Sequence, residues 1–218
     1  MKEVDDCVAW SGQRPVEWLL DHAPVDDRWC LIHATHMTAD ETKRMAQTRA
    51  VAGLCPLTEA SLGDGVFNGE AYLAAGGRFG IGSDSNIEID APGELRMLEY
   101  SQRLLHRARN VMTTQEGEST GRRLFKESLR GGAQALGRPI GELAIARRAD
   151  IAVLDAEHPD FGGAGSDHWL DAWVFSAGRN AVRTVFTPGE KVVENGVHRR
   201  HDAVHARYRA ALKRLLDA

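Results

Sequence analysis

Cysteine is scarce in this chain: Cys7, Cys30 and Cys55 are the only three in 218 residues. Their number is odd, the gaps are wide and no C-x-x-C pair occurs, so neither a disulfide framework nor a cysteine zinc site is expected. A reducing cytoplasm is the natural compartment. No apolar run approaches the ~20 residues that a bilayer span needs. The opening MKEVDDCVAW has no apolar signal core. There is also no strong charge of one sign. Twenty-seven Lys and Arg against 31 Asp and Glu leave a formal net charge of −4, and the two signs are interspersed. That speaks against a nucleic-acid surface and a polybasic membrane anchor. Internal repeats and low-complexity segments are missing as well.

What is present suits a globular protein. Hydrophobic residues make up 43% and charged residues 27%, within the ordinary range. The length fits one large domain, or a medium one plus a small one, and can bury a core. The first residues read like the middle of a helix, with Val4, Val8 and Trp10 toward one side. A start in mid-pattern suggests a missing upstream portion.

The first 90 residues alternate helix and strand signals. Pro15 to Leu20 reads as a short helix with proline in its first turn. Trp29 to His33 reads as a buried strand. Thr38-Ala39-Asp40-Glu41 is a capping box that opens a helix to about Gln47. Ala50 to Cys55 reads as a second buried strand, Pro56 to Asn68 as a loop, Glu70 to Ala75 as a short helix ending at Gly76-Gly77, and Arg78 to Ser83 as a third strand. Buried strands separated by helices argue for parallel βα units. Three strands do not close a barrel. The pattern fits an open α/β sheet or a piece of a (β/α)8 barrel.

Helices follow. Leu95, Leu98, Gln102 and Leu105 lie at helical spacing, with the three leucines as the apolar face. Asn110 to Glu118 reads as a loop, and Ser119 to Ala135 as a helix ending near Gly137. After Ala149 the composition shifts. Ile151 to Leu154, Trp169 to Phe175 and Val182 to Phe186 are strand candidates, and Asp155 to Asp167 is Gly-rich and loop-like. Pro188 to Lys191 is a turn leading into a hairpin at Val192-Val193. Val204, Tyr208, Ala211, Leu212 and Leu215 form the apolar face of a last helix. The expected division is residues 1–149 as part of a barrel, 150–200 as part of a small β-domain, and 201–218 as a C-terminal helix.

Two side chains stand out chemically. His33 ends a strand, where βα folds gather catalytic groups. An imidazole there can donate to a carbonyl or hold a water; it can equally be a satisfied core histidine. Asp84 emerges from the end of Gly80-Ile81-Gly82-Ser83, with glycines that let a ligand or backbone come close. Such a carboxylate can ligate a metal and take a proton from water; it can also simply cap a turn. Two βα units apart on one barrel rim, the two would face the same pocket, with Cys55 to Gly65 lying between them. His36 belongs to the loop after His33 and makes no zinc pair with it. His201 and His205, beside Arg199 and Arg200, read as a solvated helix face.

These residues form a series: His33-Ala34-Thr35-His36, Gly53-Leu54-Cys55-Pro56, Thr58-Glu59-Ala60, Leu62-Gly63-Asp64-Gly65, Gly80 to Ser85, Glu94-Leu95-Arg96 and Leu98-Glu99-Tyr100. In order and spacing the series resembles the amidohydrolase superfamily, and within it the formimidoylglutamate deiminases. The resemblance runs on through Ala149 to Asp155 and covers nearly the whole chain. It implies an α/β fold, namely the C-terminal part of a (β/α)8 TIM-type barrel with part of a small β-sandwich domain. It implies one zinc (Zn2+), held by a His-x-His pair on the first barrel strand, a histidine on the fifth and an aspartate on the eighth. Asp84 matches that aspartate, as metal ligand and proton carrier. His33 matches the strand-six histidine that touches substrate or the attacking water. Ser83 matches a residue lining the substrate pocket.

The reaction implied is hydrolysis of N-formimidoyl-L-glutamate to N-formyl-L-glutamate and ammonia, a step of histidine degradation. It acts on a small molecule, with no nucleic acid or membrane partner, and a homo-oligomer of the complete enzyme is left open. The departure is large. No His-x-His occurs, and the fifth-strand histidine with its neighbouring acid would fall upstream of Met1. The chain by itself is therefore expected to bind zinc weakly, to be inactive and to behave poorly in solution. Two further readings remain: a sibling deaminase acting on a purine or other cyclic amidine, and a non-catalytic remnant.

Overall fold

The computed structural model describes residues 1–163, 165 and 168–217. Helix α1 (Lys2–Ser11) stops at Gly12, whose φ of 78° ends it in the left-handed conformation. Helix α2 (Pro15–His22) starts on its proline. Trp18 links the two helices, tilted on Trp10 at 5.4 Å and stacked on His22 at 4.7 Å. Strand β1 (Cys30–Ile32) follows. Then comes α3 (Ala39–Thr48), whose start carries the full capping box between Thr38 and Glu41. Strand β2 (Val51–Leu54), helices α4 (Pro56–Leu62) and α5 (Gly69–Ala74), and strand β3 (Arg78–Ile81) complete the first part.

The three strands form a parallel sheet in the order β1-β2-β3. Cys30 lies opposite Val51, and Val51 opposite Arg78. Because all three run the same way, their C-terminal ends share one rim, where ligands of parallel sheets gather. Central β2 buries Val51, Ala52 and Leu54 completely. Strand β1 is less covered than its apolar run predicts. Among the described residues it pairs with β2 alone, and Ile32 is 57% exposed.

Helices α6 (Ala91–His106) and α7 (Thr120–Leu136) close the core over this sheet. Leu95 and Leu98 are buried as expected, whereas Leu105 is 53% exposed and the polar Gln102 is buried instead. Helix α7 lies unusually close to β3. A Cβ on Gly131 would stand 1.9 Å from the Phe79 carbonyl oxygen, so only glycine permits this approach. Tyr72, fully buried, donates its hydroxyl to the Ala50 carbonyl at 2.8 Å.

Two expected elements differ. The segment after Cys55 is not an open loop: Pro56 to Leu62 is helix α4, with proline at its start and Gly63 in the left-handed cap. Proline and glycine here punctuate a helix. Trp169 to Phe175 is helical rather than extended. Helix α8 (Trp169–Ala172) runs into a π-helical turn, Trp173–Ala177. The aromatic run favours a strand locally, but tertiary contacts prevail. Asp171 accepts from the Gly121 N–H at 2.7 Å, and Trp173 meets Phe125 edge-on at 5.2 Å.

The remaining strands, β4 (Ile151–Leu154), β5 (Val182–Phe186), β6 (Lys191–Glu194) and β7 (Val197–His198), form one antiparallel sheet in sequence order. Between β4 and α8, the 3-10 turn Pro159–Phe161 buries Phe161 against Trp169, at 4.7 Å. Of the Gly-rich stretch there, Ala164, Ser166 and Asp167 lie outside the described residues. Helix α9 (His201–Leu216) buries none of its residues, so its apolar face is open. Among the described residues, no helix is long and apolar enough to cross a membrane.

Candidate active site

The rim of the parallel sheet brings the two singled-out side chains together. His33 continues the ladder by donating its N–H to the Gly53 carbonyl at 2.8 Å, and the chain then turns sharply. His33 and Ala34 adopt φ of 63° and 49°. At the tip of β3, Gly82 bonds back to Leu54 at 3.0 Å and Asp84 takes φ of 52°. Left-handed conformations of this kind are uncommon outside glycine and gather at functional sites. The His33 Nε2 and Asp84 Oδ2 atoms stand 3.8 Å apart. That is longer than a hydrogen bond, so each keeps capacity for a third group. Both side chains meet solvent, at 37% and 48% exposure.

Helix α4 holds both strand tips. Thr58 donates its hydroxyl to the Ser83 carbonyl at 2.8 Å and accepts the Ser85 N–H at 3.2 Å. Asp84 is thus the middle residue of a turn clasped by one buried hydroxyl. Ser83, next to it, is half-buried. Glu59, one residue beyond Thr58, faces His33: Oε1 lies 3.1 Å from Nδ1 and also accepts the Cys55 N–H at 2.9 Å. The result is a line of three side chains, Glu59, His33 and Asp84.

Further acid lies beneath. Glu94 is 2% exposed, accepts the Leu57 N–H at 2.8 Å and leaves Oε1 buried without a partner. Burial, reinforced by the Glu59 and Asp90 charges, pushes its carboxyl up to about 7. Asp90 is raised for the same first reason. Burial, with the Glu59 and Asp84 charges, pushes the Cys55 thiol up to about 11, which keeps it a neutral thiol and a poor nucleophile.

His33 also borders a groove of about 540 Å³ between α1, α2 and β1. Asp84 does not line it. Arg14, the cation of that groove, is engaged by Glu41 at 2.9 Å and by the His36 carbonyl. His36 sits in the turn beyond His33, as its spacing indicates. His201 and His205 stack at 4.0 Å on exposed α9. Among the described residues, no group of three or more His, Cys, Asp or Glu side chains could hold a metal ion.

Thr58, Glu59 and Glu94 are functional candidates that reading the residues one at a time passes over. For Thr58 and Glu59 the signal lay in the segment after Cys55; Glu94 belongs to the first turn of α6. Proline at the first turn of a short helix fixes which way the next two polar residues face.

The amidohydrolase family model matches residues 2–192 of this chain. The chain belongs to the amidohydrolase family. This amidohydrolase chain is 49% identical over 216 residues to formimidoylglutamate deiminase of Pseudomonas aeruginosa, covering 99% of the chain and 48% of that protein. It superposes on an amidohydrolase from Brucella melitensis with a TM-score of 0.92 and 54% identity, covering 99% of this chain and 47% of the other. An adenosine deaminase from Xanthomonas campestris with bound zinc shares the fold at a TM-score of 0.87 and 24% identity, covering 100% and 49%. The amidohydrolase chain thus spans about half the length of the relatives it matches, and its fold is part of their barrel architecture.

Proposed function

We propose that this chain carries part of the active site of a hydrolase that converts N-formimidoyl-L-glutamate to N-formyl-L-glutamate and ammonia. The observation that carries the reading is the His33–Asp84 pair, 3.8 Å apart at neighbouring strand tips, in a chain 49% identical to a formimidoylglutamate deiminase. On this reading residues 1–149 belong to the barrel, 150–200 to the small β-domain and 201–218 to a C-terminal helix.

Hydrolysis of a formimidoyl group needs water added to the C=N carbon, a proton removed from that water, and a proton delivered to the departing nitrogen. Asp84 can do both proton steps, since its carboxylate is exposed on the rim and its backbone is clasped by Thr58. His33, held through Nδ1 by Glu59, presents Nε2 to the same space and orients the attacking water. Ser83, beside Asp84, lines the substrate side.

A zinc ion, as in the zinc-bound neighbour, would find Asp84 as its ligand here. Zinc requires three or four protein donors, and the described residues contain no cluster of three. The residues of this chain therefore do not fit zinc on their own, and no step is assigned through it.

The test is a fusion that places the unmatched remainder of the Pseudomonas protein ahead of residue 1, assayed for ammonia release. Turnover of formimidoylglutamate in preference to adenosine and guanine is expected. Turnover of a purine without formimidoylglutamate would replace this reading with that of a sibling deaminase.

A further inference from the structure

Glu59 is 5% exposed, yet it points at a side chain on the open rim. A buried carboxylate needs partners, and this one has two on a single oxygen: Oε1 takes the Cys55 N–H at 2.9 Å and lies 3.1 Å from His33 Nδ1. Its place is fixed by α4, which Pro56 starts and Gly63 ends, and by the Asp64 N–H bonding back to the Glu59 carbonyl at 2.9 Å.

An ionised carboxylate only accepts hydrogen bonds. A histidine nitrogen facing it must therefore donate. In the neutral imidazole that puts the single proton on Nδ1 and leaves a lone pair on Nε2, the nitrogen that looks toward Asp84. Without such a partner the ring is free to carry its proton on Nε2. A proton there would turn an acceptor into a donor aimed at the Asp84 carboxylate, and the two would close on each other.

We infer that Glu59 is a positioning residue that sets the tautomer of His33, with its neighbour Thr58 fixing Asp84 from the same helical turn. Two consecutive residues of α4 thereby hold two different strand tips: Thr58 holds that of β3 through Ser83 and Ser85, and Glu59 that of β1 through His33. Glu59 touches no reacting atom. It acts through the ring, keeping Nε2 an acceptor for a water or substrate N–H.

The role in turnover rests on the function proposed above; the tautomer does not. The decisive measurement is therefore made on the 218-residue chain without substrate. Histidine side chains are labelled with 15N and observed by magic-angle-spinning NMR, which needs no tumbling monomer. His33→Gln assigns the signal among the nine histidines. The wild-type ring is expected as the Nδ1–H form, and Glu59→Gln is expected to keep it, since the Gln carbonyl still accepts. Glu59→Ala is expected to move His33 toward the Nε2–H form.

A wild-type ring protonated on Nε2 overturns the inference, as does an unchanged Nδ1–H ring in Glu59→Ala. Should Glu59→Ala fail to fold, the wild-type and Glu59→Gln spectra still decide. In the fusion, Glu59→Ala is expected to lower kcat by ~10–100-fold, the scale seen when a metal-bound histidine loses its outer hydrogen-bond partner. KM should hardly change, and Glu59→Gln should restore part of the rate. A fusion that turns over no substrate would count against the proposed function and leave the tautomer result standing.

Discussion

Glu94 gives the sharpest stability prediction. Its carboxyl is buried and pushed up to about 7 from an ordinary 4.5. Each pKa unit corresponds to ~1.4 kcal/mol of preference between the two protonation states, so the shift amounts to about 3 kcal/mol. The folded pKa is the higher one. The neutral acid is therefore favoured by folding, and this stability is fully present below pH 4.5. It is lost as pH rises toward and through 7, where the folded protein must carry a buried charge. Asp90, raised in the same direction, adds to the loss. Glu94→Gln removes the titration at position 94. Its amide keeps the Leu57 N–H bonded but puts an NH2 where Oε1 has no partner, a cost of ~1–3 kcal/mol that does not depend on pH. Urea unfolding at pH 5 and pH 8 separates the two effects. Wild type is expected to lose up to about 3 kcal/mol more than Glu94→Gln between those values. Equal losses in both proteins would refute the assignment of a neutral Glu94 to the fold.

Three other outcomes follow from named contacts. Gly131→Ala drives a Cβ to 1.9 Å from the Phe79 carbonyl oxygen and should lower stability by ~1–3 kcal/mol or more, whereas Gly132→Ala, with open space at its Cβ, should be neutral or slightly stabilising in thermal melts. Thr58→Val strips the clasp from Ser83 and Ser85 and should cost about 2 kcal/mol in chemical unfolding, with reduced turnover in the fusion; an unchanged variant would show that the clasp is idle. The chain alone should retain far less than one equivalent of zinc after gel filtration and elemental analysis, and stoichiometric retention would contradict the donor set described here.

Much of the fold is legible in the residues because its signals are local. Thr38 to Glu41 closes a capping box within four residues, and Pro15 and Gly137 mark helix ends by their own backbone preferences. The parallel strands follow from short apolar runs separated by helices. What misleads is long-range. Trp169 to Phe175 has strand-like residues but is held helical by Asp171 bonding to Gly121 and Trp173 packing on Phe125, 48 or more residues away. Leu105 sits at the right spacing for the α6 face, yet it stays 53% exposed.

In the site, His33 and Asp84 are legible as strand-end polar groups, and the rim brings them to 3.8 Å. Thr58 and Glu59 are not, since their importance lies in which strand tip each one touches. That depends on α4 being a helix, in a stretch where proline and glycine suggest a loop.

The central claim is that Asp84 and His33 act on one substrate at one place. Its most direct test is ammonia release from formimidoylglutamate by the fusion carrying Asp84→Asn, beside its unsubstituted parent. The account predicts an active parent and a loss of at least ~100-fold in kcat for Asp84→Asn, the scale of a lost proton-transfer group. A variant as fast as its parent would contradict it.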